Sequence, residues 1–273
     1  MGLVFQPTSV TDATRPFTFL IRGDVLPSVT TVQIMMRRHR PQSLIAADGI
    51  FGPKTKGALE KFQAFHKLVE DGIVGNNTWY ALMSVSGFQT IDLVDGTDPS
   101  LIALEAADIR RAGGDPIVVF GMSNGVQFVA DQIVNRGRRN NVMLLRFHGH
   151  GGRGTQNTTG GTINGAPHLA AISMSNYHQL ERTIAPSRNV MVPFGSVQLL
   201  GCDVGSGAGG ALVQRLAQTW GVPVTAGLNT QFAGGNKTFR FEGPTVSGFP
   251  GGDDLRAWSQ AMQAQHGNQT MPT

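Results

Sequence analysis

The stretch Val142-Met143-Leu144-Leu145-Arg146-Phe147 runs directly into His148-Gly149-His150-Gly151-Gly152. A short, almost continuous apolar run of this kind predicts a buried strand, and the glycine-rich segment after it predicts a loop. A second apolar run, over residues 197–200, ends in the same way in Gly201-Cys202-Asp203. Two buried strands that each lead into a glycine-rich loop are typical of a parallel sheet.

Strand-like and helix-like segments alternate on both sides of these two runs. Further strands are predicted at residues 90–94, 116–121, 222–226 and 238–241, and helices at 101–111, 125–135, 210–220 and 253–264. Alternation of this kind predicts an α/β domain with three layers and a mostly parallel sheet, which we place at residues 88–273.

A repeated turn marks a smaller unit at residues 27–83. Asp48-Gly49-Ile50-Phe51-Gly52-Pro53-Lys54-Thr55 recurs as Asp71-Gly72-Ile73-Val74-Gly75-Asn76-Asn77-Thr78. In each copy the Asp-Gly pair predicts a tight turn, and the second glycine leads into a helix. Apolar residues at helical spacing around both copies predict a small all-α domain of three helices. Residues 1–26 form an N-terminal extension, with a short strand expected at 17–21.

This unit closely resembles the peptidoglycan-binding domain that accompanies many cell-wall hydrolases. The resemblance rests on the spacing of Asp48, Gly49, Phe51, Gly52, Asp71, Gly72, Gly75 and Trp79, together with Val32-Gln33, Phe62-Gln63 and Leu82. It implies that peptidoglycan is a partner of the protein. The basic and polar stretch 37–47 departs from the family pattern.

Composition argues against two classes of partner. The net charge is +4, and the basic runs at 37–40 and 136–139 are short and lack interleaved aromatic residues, so we expect no nucleic-acid partner. No apolar run approaches the roughly 18 residues of a membrane helix, so we expect no membrane partner. The single cysteine excludes an intrachain disulfide, and any role for Cys202 therefore lies in its reactivity.

The first 21 residues lack a basic start followed by an apolar core, so we expect no standard secretory signal. Together with the resemblance to a peptidoglycan-binding domain, this predicts a bacterial protein that reaches the cell wall or periplasm by a non-classical route. Contact-dependent secretion and a phage particle are two such routes, and a cytoplasmic location is the alternative.

The residues that could take part in catalysis lie at the ends of the two apolar runs. Because adjacent parallel strands end at the same edge of a sheet, the imidazoles of His148 and His150 are expected close to the thiol of Cys202. A thiol requires a nearby base to become a nucleophile near neutral pH. The flanking glycines allow a substrate backbone to approach and leave amides for an oxyanion hole.

An apolar strand ending in His-Gly, followed by one ending in Gly-Cys, resembles the caspase-hemoglobinase fold, which includes caspases, metacaspases and related bacterial domains. Leu199-Leu200-Gly201-Cys202-Asp203-Val204, the glycines at 209–210 and the segment 221–226 are similar to a bacterial caspase-like group. The resemblance extends over residues 90–242. It implies a cysteine peptidase that acts on a peptide or protein substrate without a cofactor or metal.

The same resemblance implies a role for each site residue. Cys202 is the nucleophile, and His150 is the base because Gly149-His150-Gly151 matches the Gly-His-Gly form of metacaspase-like proteins. Alignment with a Ser-His-Gly form selects His148 instead. The amide of Gly151 would join that of Cys202 in the oxyanion hole. Asp203 replaces the more common asparagine and either shapes the substrate pocket or caps the next turn.

Two other functions are compatible with the sequence. His148-x-His150, completed by His168 or Asp203, could bind zinc in a peptidoglycan peptidase. No acidic residue lies at the helical spacing of familiar zinc motifs, and this hypothesis leaves Cys202 unexplained. The third hypothesis is a non-catalytic protein in which the peptidoglycan-binding unit is the functional part. Sensitivity to a thiol reagent, to a chelator or to neither distinguishes the three.

Overall fold

The structure of the chain is a computed structural model that describes residues 20–39, 45–120, 125–158 and 170–269. Its helices are α1 (Pro27–His39), α2 (Pro53–Phe65), α3 (Asn76–Ser86), α4 (Pro99–Leu101), α5 (Ala107–Arg111), α6 (Gly125–Arg136), α7 (Tyr177–Ile184), α8 (Gly209–Trp220) and α9 (Leu255–His266). A π-helical turn, Ile102–Ala106, joins α4 to α5, and 3-10 turns lie at Ala185–Val190 and Gly235–Phe239. Among the described residues, no helix is both long and apolar enough to cross a membrane.

The strands form one large sheet and one small sheet. They are β1 (Gln89–Asp95), β2 (Ile117–Val119), β3 (Val142–His148), β4 (Gly151–Gly152), β5 (Thr155–Asn157), β6 (Ala171–Ser173), β7 (Met191–Leu199), β8 (Val224–Gly227) and β9 (Thr245–Gly248). The large sheet has the order β2-β1-β3-β7-β8-β9, and β4, β5 and β6 form the small one. All neighbours in the large sheet are parallel except β8 and β9. The predicted mostly parallel sheet is confirmed.

The strand predicted at 238–241 is wrong. This segment begins inside the 3-10 turn Gly235–Phe239, and the antiparallel strand comes later, at β9. Thr238 Oγ1 donates to Asp108 Oδ2 at 2.9 Å, and the amide of Gly234 donates to Thr238 Oγ1 at 3.0 Å. These side-chain hydrogen bonds hold a compact turn in which Phe239 is buried without a strand ladder. The strand expected at 17–21 lies largely outside the described residues; Leu20 forms an isolated bridge with Val74.

Helices α6, α7 and α8 cover one face of the large sheet. Their apolar residues meet the strand residues that point to this face, among them Phe147 and Val197. The ring of Trp220 stacks on that of Phe147 with 5.8 Å between centroids. This is the helical layer that alternating strands and helices require, because each helix must bury its apolar stripe on the sheet.

The opposite face is covered in part by the helical unit at the N-terminus. Helix α1 is buried along Pro27 to Met36 and packs on β7 and α9. Thr31 Oγ1 donates to Phe194 O at 2.7 Å, and the hydroxyls of Thr30 and Ser259 are 2.7 Å apart. Residues of α1, α2 and α3 therefore share one apolar core with Met143, Leu144, Val192 and Phe194 of the sheet.

Each repeated turn in the helical unit is held by one buried glutamine. Gln33 Oε1 accepts from the amides of Asp48 and Gly49, both at 3.0 Å, while its Nε2 donates to Asp48 Oδ1 at 2.9 Å. Gln63 repeats this pattern on Gly72 and Asp71, both at 2.9 Å. The repeat is therefore structural as well as sequential, since each copy joins a helix to the following Asp-Gly turn.

Candidate active site at the carboxyl edge of the sheet

Strands β3 and β7 bring the predicted residues together. They pair in parallel, with Phe147 opposite Leu199, and the amide of Leu200 donates to Phe147 O at 2.9 Å. The two glycine-rich loops therefore leave the sheet side by side at its carboxyl edge, as the sequence predicted. This is the edge at which open α/β sheets bind ligands.

The two loops touch through their glycine backbones. A Cβ at Gly201 would lie 3.0 Å from His150 O, and one at Gly151 would lie 2.9 Å from Cys202 N and 2.8 Å from Cys202 O. Glycine is required at both positions because real Cβ atoms rarely approach so closely. The chain segments that carry His150 and Cys202 are consequently in direct backbone contact.

Cys202 is half-buried, and its thiol is directed toward the loop that follows β8. Its Sγ–H donates to Gln231 O at 3.2 Å, and within the described part of the chain no hydrogen bond joins the thiol to either imidazole. Gln231 itself is fastened to Glu242, whose amide donates to Gln231 Oε1 at 2.8 Å and whose carbonyl accepts from Nε2 at 3.2 Å. The loop that receives the thiol is therefore held firmly.

His150 is the exposed histidine of the loop. Its side chain is 54% exposed, and its Nε2 lies 2.8 Å from Asp98 Oδ2. Asp98 is the N-cap of α4 and comes from the loop after β1. The imidazole is thus open to a substrate and is held by a carboxylate at one nitrogen.

His148 lies in a different environment. It is the last residue of β3, its side chain is fully buried, and its Nε2 lies 2.9 Å from Asp92 Oδ1. Asp92 also pairs with the fully buried Arg146, through Nη2–Oδ2 at 2.9 Å and Nε–Oδ1 at 2.5 Å. Phe239 covers this cluster, with the Arg146 guanidinium carbon 4.9 Å from its ring centre. His148 therefore supports the sheet edge rather than facing a substrate.

Electrostatics keep the buried aspartate ionised. Burial by itself raises the pKa of Asp92, but the charge of Arg146 and the hydrogen bond from His148 outweigh this and hold the pKa below its ordinary value. Asp92 and Arg146 therefore form a buried ion pair, and His148 is hydrogen-bonded to the same carboxylate.

Two further carboxyl groups line this region. Glu105 belongs to the π-helical turn and is buried, and burial raises its pKa despite the nearby imidazoles of His148 and His150. A Cβ at Gly149 would lie 2.8 Å from Asp95 Cβ, so Asp95 packs directly against the histidine loop. Single-turn π-helices are frequent at functional sites, and this one places the buried carboxyl of Glu105 near the imidazoles of His148 and His150.

The backbone leaves two amides available near the thiol. Asn157 N donates to His150 O at 3.0 Å, so the next pair, Gly151 with Gln156, is the non-hydrogen-bonded kind and the Gly151 N–H points away from β5. Cys202 N–H makes no hydrogen bond to any described residue. These are the two amides that the sequence predicted for the oxyanion hole.

Asp203 follows Cys202 in a left-handed conformation, with φ of 55°. Its amide donates to Asn229 O at 3.0 Å, and its carbonyl accepts from the amide and hydroxyl of Ser206, both at 2.9 Å. The Asp203 backbone therefore closes the turn after the cysteine. Its half-exposed carboxylate has no hydrogen-bond partner among the described residues.

No assembled zinc site is present in the described part of the chain, where no group of three or more His, Cys, Asp or Glu side chains is placed to hold a metal ion. His148 and His150 bind different aspartates, and His168 lies outside the described residues. The geometry therefore does not favour the His148-x-His150 hypothesis.

In the helical unit, the motif residues build the fold. Phe51 and Trp79 are fully buried, and Asp48 and Asp71 hold their turns through Gln33 and Gln63. Gly49 and Gly72 have φ of 75° and 64°, the left-handed conformation that their turns require. The motif residues therefore determine the fold of the helical unit.

Comparison with protein families identifies this unit. Residues 26–82 match the family described as putative peptidoglycan binding domain. The chain carries a peptidoglycan-binding domain. No curated protein and no solved structure matches the chain significantly, so the α/β domain that follows the peptidoglycan-binding domain is interpreted from its own geometry.

Sequence reasoning missed five residues of this region: Asp92, Asp95, Asp98, Glu105 and Gln231. Asp98 and Asp95 had a usable signal, because Asp95-Gly96-Thr97-Asp98-Pro99 follows a predicted strand in the same way that the histidine loop follows β3. No feature of the sequence indicated Gln231, because the fold of the loop after β8 is what brings its carbonyl oxygen to the thiol.

Proposed function

We propose that this protein is a cysteine peptidase of caspase-like fold that its peptidoglycan-binding domain directs to the bacterial cell wall. Cys202 is the nucleophile and His150 the base. The observation that carries the proposal is the direct contact of the two loops at the carboxyl edge of the sheet, with an exposed imidazole on one and a half-buried thiol on the other.

The chemistry follows from this arrangement. Once the thiol leaves Gln231 O, His150 accepts its proton, and the thiolate attacks the carbonyl carbon of the scissile amide. The negative charge that forms on the carbonyl oxygen is stabilised by the amides of Gly151 and Cys202. The imidazolium then gives its proton to the leaving amine, and water hydrolyses the thioester to regenerate Cys202.

The substrate lies at or near the cell wall in this proposal. In this proposal the peptidoglycan-binding domain binds the cell wall, and the candidate site hydrolyses a peptide bond there. The cut bond belongs either to a stem peptide of peptidoglycan or to a protein held at the wall. His148 has a supporting role only, because its imidazole is buried against Asp92.

The test is mass spectrometry of purified peptidoglycan and of a peptide library after incubation with the full chain. We expect Cys202→Ala, His150→Ala and the double variant to lose activity by similar factors, because the two residues act as a unit. His178→Ala is the matched control, since His178 is exposed on α7. Cleavage that persists in Cys202→Ala, or that disappears only with a chelator, would contradict the proposal.

Wall binding is tested separately with the inactive full chain. Cys202→Ala should be retained by insoluble peptidoglycan and should remain bound without digesting it. The full chain is used because α1 shares its core with the sheet. Recovery of the protein in the unbound fraction would remove the wall-targeting half of the proposal and leave the peptidase half intact.

A further inference from the structure

Asp98 uses its two carboxylate oxygens for two different partners. Oδ1 accepts from the amide of Ser100 at 2.8 Å and from its hydroxyl at 2.7 Å. Oδ2 is left for His150 Nε2 at 2.8 Å. The first set of bonds caps the start of the helical segment 99–111, so the second oxygen is fixed in place before any substrate arrives.

The carboxylate is charged throughout the range in which hydrolysis can be measured. Hydrogen bonds from the Ser100 hydroxyl and amide, with that from His150, lower the pKa of Asp98 to about 2. A permanently ionised oxygen at Nε2 requires a proton on that nitrogen, because a carboxylate only accepts hydrogen bonds.

The tautomer of His150 follows from this contact. With the proton on Nε2, the lone pair of the neutral ring lies on Nδ1. Nδ1 makes no hydrogen bond to any described residue, and the ring is 54% exposed. Nδ1 is therefore the nitrogen that can take a proton from a thiol.

We infer that Asp98 is a positioning residue that completes a Cys202–His150–Asp98 triad, fixing the Nε2–H tautomer of His150 and stabilising the imidazolium that forms when the thiol is deprotonated. This inference rests on the proposed peptidase function. The arrangement resembles the general logic of a nucleophile, a base and a group that orients the base.

The other ionisable groups near His150 do not replace Asp98. Glu105 approaches from the π-helical turn, but burial raises its pKa and favours its neutral form. Asp95 packs against Gly149, and its Oδ1 already accepts from the amide and hydroxyl of Thr97, at 3.0 and 2.6 Å. Cys202 and Asp203 lie on the neighbouring loop.

The test compares variants that separate capping from positioning. Asp98→Ser keeps a side-chain oxygen for the helix cap and removes the carboxylate from His150. Asp98→Asn keeps the shape and removes the charge, and Asp98→Glu restores the charge. Asp131→Asn is the control, because this exposed aspartate accepts only from Gln127 in the described part of the chain.

Both Asp98→Ser and Asp98→Asn should lower kcat by about 10²–10⁴-fold with little change in KM, as loss of a base-orienting carboxylate does elsewhere. Asp98→Glu should recover part of the rate. Asp131→Asn should behave as the wild type. Equal thermal midpoints across the set would show that the loss is not one of folding.

A second readout does not need a substrate. The rate at which iodoacetamide alkylates Cys202 should rise with pH. In Asp98→Ser the first inflection of this rise should move to lower pH and its plateau should be lower, because the imidazolium loses the carboxylate that stabilises it. A profile and a kcat identical to the wild type in Asp98→Ser, together with an inactive Cys202→Ala, would overturn the triad and leave the peptidase proposal standing. An active Cys202→Ala would overturn both.

Discussion

Two imidazole–carboxylate pairs, whose histidines are two residues apart on the chain, lie in opposite environments. His148 and Asp92 are 2.9 Å apart with side chains 0% and 4% exposed, whereas His150 and Asp98 are 2.8 Å apart with side chains 54% and 32% exposed. Nearly the same contact therefore occurs once inside the fold and once at its surface. The difference in burial, rather than the imidazole–carboxylate contact itself, therefore distinguishes a supporting histidine from a candidate base.

The difference follows from where β3 ends. Arg146 and His148 point to the same face of the sheet, because side chains alternate along a strand, and they lie opposite Asp92 and Val94 of β1. Gly149 breaks the strand, and His150 leaves the sheet to meet Asp98 above its edge. The inner pair has a permanent cation as its third partner, whereas the outer pair is open to a substrate.

The largest effect on stability is expected at the inner pair. Arg146→Met should lower the free energy of unfolding by about 3–5 kcal/mol, because it leaves the Asp92 carboxylate buried without its cation. Urea denaturation measures this loss. The control is Arg136→Met, which removes a cation whose partner Asp115 is 86% exposed and should change the unfolding free energy by less than about 1 kcal/mol.

The second largest effect on stability is expected from a change of pH. The pKa of Asp92 is lower in the folded chain than in the unfolded chain, so its contribution is fully present above the unfolded value of about 4 and is lost as the pH falls through the folded value. The unfolding free energy should therefore decline below pH ~4, by at most about 1.4 kcal/mol per pH unit from this group.

Asp92→Asn, compared with the wild type by urea denaturation at a series of pH values, isolates that contribution. The decline below pH 4 should become shallower in the variant, although Asp98 still contributes in the same direction because its pKa is also lowered. An unchanged slope would show that Asp92 is not the group that titrates with unfolding.

Replacement of His148 should mainly lower stability, whereas replacement of His150 should mainly abolish activity. His148→Ala should lower the unfolding free energy by about 2 kcal/mol, because it leaves a cavity and removes a hydrogen bond from Asp92. Its kcat should remain within about tenfold of the wild type, since the His148 imidazole is fully buried and hydrogen-bonded to Asp92.

His150→Ala should show the reverse pattern, with a stability change of about 0.5 kcal/mol or less at this exposed position and loss of hydrolysis. Chemical denaturation and peptide hydrolysis on the same preparations measure both quantities. If His148→Ala is inactive while folded and His150→Ala is active, the two pairs have the opposite roles.

Much of the peptidoglycan-binding domain could be predicted because its signals are local. The Asp-Gly turns and the helical spacing around them are short-range features, and the three predicted helices are present as α1, α2 and α3. The roles of Gln33 and Gln63 were not predicted, although both precede an Asp-Gly turn. A polar residue in the buried stripe of each helix was the signal.

The strand predictions for the α/β domain are confirmed for β1, β2, β3, β7 and β8 and wrong for residues 238–241. β3 and β7 are rich in apolar residues, and both lie inside the large sheet. The segment 238–241 has the alternation of a strand, yet its geometry is set by Asp108 and Thr238, which are 130 residues apart. Pattern reasoning has no access to contacts of that range.

By itself, the sequence determined the two glycine-rich loops, with the pair of histidines on one and the single thiol on the other. These depend on residue types and on short spacings, which the chain carries directly. Only the tertiary structure decided which histidine is open, because exposure depends on what Asp92, Arg146 and Phe239 cover. It also decided that Asp98 meets His150, since the parallel pairing of β1 with β3 brings residues 52 positions apart to one sheet edge.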